Sequence, residues 1–239
     1  MDRLFHLIPV LLPVSAVVAM TFPVLALGVH FDWWGFQIAL PLLAGAALTA
    51  AILLALAGVA LLSSLRRPLQ KTSIRAIWII VVLALPMAMV FHHGLKASQA
   101  PVLYDVSTSW DNPPSISAAR PQQANPLQTA ESNRSLQQQF YPDLVPVTLP
   151  VSVEEALAKV QSTAQTLGWN IVSVDATNGV VNATDTTFWF GFVDDITVRL
   201  TALPEGGSKI DVRSVSRVGK SDLGKNADRI RMFLSALRS

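Results

Sequence analysis

The chain has 239 residues, 51% of them hydrophobic and 14% charged, with a formal net charge of +2 and a mean hydropathy of +0.43. Soluble proteins average about 25% charged residues, so this composition excludes an ordinary soluble globule and requires the apolar residues to be gathered in one part of the chain. Cysteine is absent and all four histidines precede residue 96, which excludes disulfides, thiolate nucleophiles and zinc-cysteine sites throughout, and any Ser-His-Asp triad or histidine metal site from residue 96 onward.

Residues 4–29, 36–65 and 76–95 contain no Asp, Glu, Lys or Arg. A helix rises about 1.5 Å per residue, so roughly 20 residues cross a hydrocarbon core about 30 Å thick. Each run therefore predicts a membrane span, and the lipid bilayer is the first expected partner. Pro9, Pro13 and Pro23 interrupt the first run, which spans tolerate; a cleaved signal peptide is its alternative reading. Arg66, Arg67, Lys71 and Arg75 lie between the second and third runs, whereas residues 30–35 carry Asp32 and no Lys or Arg. The positive-inside rule then puts the basic loop and the N-terminus in the cytoplasm. Residues 96–239 are expected on the periplasmic or extracytoplasmic side of an inner (plasma) membrane. Trp33, Trp34 and Trp78 stand at segment edges, as an interfacial aromatic belt would place them. No charge lies in mid-span, so no ion path is indicated. Ala47, Ala51 and Ala55, with Gly58, form a smooth helix face read as internal packing.

Residues 96–150 hold eight of the fifteen prolines and no glycine. That predicts a stiff, Pro/Gln-rich extended segment, partly packed through Tyr104, Trp110, Phe140 and Tyr141. Beyond residue 95 there are thirteen basic and fourteen acidic residues, a balance without a nucleic-acid footprint.

From residue 151 the patterns become regular. Ser152 with Glu155 forms a capping box, Val153, Leu157, Val160, Ala164 and Leu167 recur at helical spacing, and Gly168 ends the helix. Residues 169–174 and 180–184 flank an Asn178-Gly179 turn and predict a hairpin. A long strand follows, with Phe188, Phe190, Phe192, Ile196, Val198 and Leu200 on one parity and Trp189, Asp195, Thr197 and Arg199 on the other. Residues 209–218 predict a further strand. A last helix is expected from Ser221, with Leu223, Ala227, Ile230, Leu234 and Leu237 on its apolar face. These elements can bury their faces only as an α+β domain, an antiparallel sheet of four strands with two helices on one face, behind a three-span helical anchor.

Asp194 falls on the apolar parity of its strand, and a buried carboxylate must be paired, protonated or functional. Pairing with Arg213 or Arg217 across the sheet is the structural reading. Asp185, Asp194 and Asp195 are the weak catalytic candidates, as acid or base, with Arg213 or Arg217 stabilising an anion. Arg217 to Ser221 reads R-V-G-K-S between a strand and a helix, but Ser214 stands where a phosphate-binding loop needs its first glycine. What survives is a candidate anion site of Arg213, Arg217, Lys220, Ser221, Lys225 and Arg229. Nothing fixes the mutual distance of Asp105, Asp111 and Asp143, so no metal and no cofactor is expected. The Asn133 and Asn182 glycosylation triplets are read as chance.

The ordered motifs D-V-S-T at 105–108, D-N-P-P at 111–114, Y-P-D at 141–143, A-T-D at 183–185, W-F-G-F-V-D-D at 189–195 and D-V-R-S-V-S-R-V-G-K-S-D-L-G-K-N-A-D-R-I-R at 211–231 resemble the domain-of-unknown-function 1499 family over about residues 100–239. The resemblance implies relatives without a mechanism. The expected function is a membrane-anchored, non-catalytic module binding an envelope protein or ligand. The alternatives are a carboxylate enzyme on an envelope substrate and a binder of anionic lipid or phosphate.

Overall fold

The computed structural model describes residues 2–64, 70–116 and 120–238, without the side chains of residues 2–5 and 70. Arg66 and Arg67 of the basic loop lie outside the described residues. The chain divides into two compact units, residues 1–95 with 188–191, and residues 96–187 with 192–239.

The first unit is built on α1 (Asp2–His30), α2 (Phe36–Ser64) and α3 (Gln70–Gln99), whose last turn belongs to the second unit. All three are long and apolar enough to cross a membrane. Small residues set the packing of this unit: Ala50, Leu53, Ala57 and Ala60 of α2 share a buried cluster with Ile8, Ala76, Ile79 and Leu83. The buried face of α2 is thus turned from the one expected, because Ala51 and Ala55 are exposed. Both stripes have small residues every third or fourth position, so spacing alone cannot choose between them. After α1 the chain reverses through Asp32 at φ 57°, and the Trp34 indole N–H donates to the Leu25 carbonyl at 3.1 Å. The Trp34 ring lies where a Cβ on residue 28 would stand, which only Gly28 permits.

The second unit is the expected α+β domain. Its elements in chain order are β1 (Asp105–Ser107), α4 (Ala130–Phe140), β2 (Val147–Leu149), α5 (Val153–Thr166), β3 (Asn170–Asp175), β4 (Val180–Thr186), β5 (Val193–Ala202), β6 (Ser208–Ser216) and α6 (Lys225–Arg238). The antiparallel sheet runs β1-β6-β5-β4-β3, and β2 also pairs with β6. The central strands match the alternating pattern from Val193 onward, but Phe188, Phe190 and Phe192, expected on the apolar face of the same strand, precede β5, with Phe188 exposed; the capping box at Ser152 forms as its sequence predicts. Ile196, Val198, Leu200, Ile210 and Val212 bury one sheet face against Val160 and Ala164 of α5 and Ile230 and Phe233 of α6. Phe233 stacks on Trp169 with ring centroids 4.8 Å apart.

Two departures from the sequence pattern matter for the site. Residues 96–150 contribute two strands and a helix where only a partly packed extended segment is expected. The last helix begins at Lys225 and not near Ser221, because Asp222 turns the chain: its carboxylate accepts from the Gly224 and Asn226 N–H groups at 2.8 and 2.9 Å. Leu223 is outside the helix, at φ 54°.

Candidate functional site

Register places the three candidate carboxylates on two faces of the sheet. Asp185 stands directly opposite Asp194 on neighbouring strands, on the face covered by α5 and α6. Two like charges in that arrangement repel, and a cation between them relieves the repulsion. Arg229 of α6 supplies it. Its Nη2 donates to Asp194 Oδ2 at 2.6 Å and its Nε to Asp185 Oδ2 at 2.8 Å. The remaining nitrogen, Nη1, donates to Asn226 Oδ1 at 2.6 Å and to Ser214 Oγ at 3.2 Å. Asn226 in turn donates to Ser216 Oγ at 3.0 Å and to the Tyr104 carbonyl at 3.1 Å. Asp194 and Arg229 are each only 3% exposed, so this is a buried, hydrogen-bonded ion cluster, the form in which buried charge is tolerated.

The opposite face holds a second set. Asp195 receives Arg217 Nη2 at 2.7 Å and Arg120 Nε at 2.7 Å. Asp105 of β1 accepts two bonds from Arg213, at 2.9 and 2.7 Å, and the Arg213 guanidinium stands 5.5 Å from the centroid of the Trp110 ring. Asp211 accepts from Arg199 at 3.1 Å. Residues 110–116 and 120–128 cover this face, with the Asn112, Pro114 and Gln128 carbonyls accepting from Arg199 and Arg213. The sequence paired Asp194 with Arg213 or Arg217; the fold gives Asp194 to Arg229 and those two arginines to Asp105 and Asp195.

The candidate anion-binding residues are therefore dispersed. Arg213 and Arg217 lie on one face of the sheet, Arg229 on the other, and Lys220 and Ser221 in the turn before α6, where the Ser221 hydroxyl donates to the Pro101 carbonyl at 3.1 Å. Only Lys225 and Arg229 come together. They line a cleft of about 470 Å³ with Lys96 and Arg231, against Asp185 and Asp228. Lys96 pairs with Asp228 at 3.4 Å and Arg231 with Asp143 at 2.6 Å. Asp105, Asp111 and Asp143 each pair with a different arginine, and among the described residues no group of three His, Cys, Asp or Glu side chains converges as a metal site would need.

Asn226, Ser214, Ser216 and Asp222 complete this network and are not singled out as site residues by the sequence. The signal for the serines is present: Ser214 and Ser216 share the parity of Val212, so two hydroxyls face the helix layer beside Asp194. Asp222 stands near these groups, and burial pushes its carboxyl up to about 6 against the lowering effect of the Asn226 and Gly224 amides. Burial, and then the Asp222 charge, push the Tyr141 hydroxyl up to about 12. The hydrogen bond from Arg231 holds Asp143 below its ordinary value.

A family model described as Protein of unknown function (DUF1499) matches residues 105–237, more than half of the chain. None of the curated proteins matches. Among solved structures, one described as the crystal structure of Ara h 8.0201 is 14% identical, with a TM-score of 0.22, over 39% of this chain and 95% of that one.

Proposed function

The chain belongs to the family of Protein of unknown function (DUF1499), and from that premise we propose that it is a membrane-anchored, non-catalytic module whose second unit faces the extracytoplasmic side and binds an envelope protein or ligand. One observation carries the reading: the carboxylates best placed for acid-base work are held by arginines. Asp194 and Asp185 share Arg229, and Asp195 is held by Arg217 and Arg120. A general acid or base must reach the proton it transfers, and a carboxylate buried against a guanidinium, as Asp194 and Asp195 are, offers its oxygens to the protein. The arrangement suits a rigid sheet that presents loops and edges for recognition.

The test compares the detergent-solubilised chain with Asp194→Asn on a panel of envelope substrates, alongside crosslinking in cells with mass-spectrometric mapping of the attachment sites. The expected result is no turnover by either protein and crosslinks on the second unit. Turnover lost in Asp194→Asn, with the circular dichroism spectrum of the fold retained, overturns the proposal.

A further inference from the structure

The link between β4 and β5 has no counterpart in the charge networks. Residues 186–192 read T-T-F-W-F-G-F without a charge. Thr187 N–H donates to the Phe192 carbonyl at 2.8 Å, and Phe192 N–H to Thr187 Oγ1 at 2.9 Å. These bonds close the base of the hairpin tip and hold its outer residues in a turn. Phe188 is 77% exposed and Trp189 38%, with their rings edge to face at 5.2 Å. Two adjacent exposed aromatics on a fixed turn form a patch that a soluble surface tends to avoid.

The tip groups with the first unit. Within that unit Gly191, at φ +65°, lies against His30, the last residue of α1: a Cβ there would stand 3.1 Å from the His30 Cα. The turn that follows carries Phe31 and Trp33, 58% and 67% exposed, with ring centroids 5.8 Å apart. Two segments more than 150 residues apart in sequence, each carrying exposed aromatic rings, therefore approach through Gly191 and His30 at one end of an apolar helix. Tryptophan and other amphipathic aromatics concentrate at the level of lipid headgroups.

We propose that Phe188 and Trp189 form a membrane-interface anchor that enters the headgroup region of the bilayer. The inference rests on reading α1–α3 as membrane spans. Lipid is the occupant favoured over a protein partner because helices of membrane length in the same chain put a bilayer beside every copy, and because the tip offers no charge with which a protein could fix register.

The absence of cysteine makes a site-directed nitroxide unambiguous. Single labels at Phe188→Cys and Trp189→Cys in the full chain, reconstituted in phosphatidylcholine vesicles, are compared with Leu48→Cys on α2 and Val172→Cys on β3, both positions exposed. Collision rates with oxygen and with a water-soluble nickel chelate are measured by electron paramagnetic resonance. The expected oxygen-to-nickel ratio at 188 and 189 is several-fold above that at 172 and below that at 48. A ratio at 188 and 189 equal to that at 172, with 48 remaining lipid-like, overturns the anchor alone. Labels at 188 and 189 shielded from both reagents indicate protein contact and also overturn it. A water-like ratio at 48 removes the membrane reading and the anchor with it.

Discussion

Asp222 links the turn before α6 to the ion cluster, since it caps the N–H of Asn226 while the Asn226 side chain bonds to Arg229 and Ser216. Its carboxyl is raised from 3.8 to about 6, so folding takes up a proton on this group between those values. Its contribution to stability is fully present below the lower value and is lost as pH rises through about 6. Asp143 has the opposite sign, because Arg231 holds it below its ordinary value; its contribution is present above that value and is lost on acidification. Carbon-13 titration of the aspartate carboxyls should give a midpoint near 6 for Asp222 and one below 3.8 for Asp143. A midpoint for Asp222 in the ordinary range would mean that solvent or the Gly224 and Asn226 amides fully offset the effect of burial on this carboxyl.

Elements were legible where burial follows a hydrophobic period. Helix α5, the β3–β4 hairpin and strands β5 and β6 all have apolar residues at regular spacing, and Ser152, Gly168 and Asn178-Gly179 mark their ends. Helix α4 was not legible because its buried residues are Asn133 and Gln137, four apart and polar, so no apolar stripe signals it. The same cause hid β1 and the partners of Arg213 and Arg229: charge pairing between distant segments leaves no period in the sequence. Gln137 shows how much the polar face carries. Its Oε1 accepts from Ser107 N–H at 3.0 Å and Trp110 Nε1 at 2.8 Å, and its Nε2 donates to the Ser107 carbonyl at 2.7 Å. An unsatisfied buried polar group costs about 1–3 kcal/mol, and Gln137→Leu strands three. The variant should lose at least about 3 kcal/mol in denaturant unfolding, with faster hydrogen exchange at the Ser107 amide. Unchanged exchange would detach α4 from the stability of the sheet edge.

At the scale of the whole molecule, the orientation of the helices decides which compartment the second unit meets. The bases in the first turns of α3, Lys71 and Arg75, with Arg66 and Arg67 before them in sequence, face no comparable cluster of Lys or Arg in residues 30–35. Lys and Arg near the ends of spans resist translocation, and short loops follow this bias closely. If the bases at the start of α3 stay in the cytoplasm, as the proposed topology requires, a membrane-spanning α3 delivers its C-terminal end, and the residues after it, to the opposite side. Single cysteines introduced at the exposed positions Lys71 and Glu205 give a direct test with a membrane-impermeant maleimide on spheroplasts. The Glu205→Cys chain should be modified in intact spheroplasts and the Lys71→Cys chain only after lysis. The reverse pattern would place the sheet in the cytoplasm, where an envelope partner cannot reach it, and would leave the charge bias of the loop to be balanced by some other determinant of insertion.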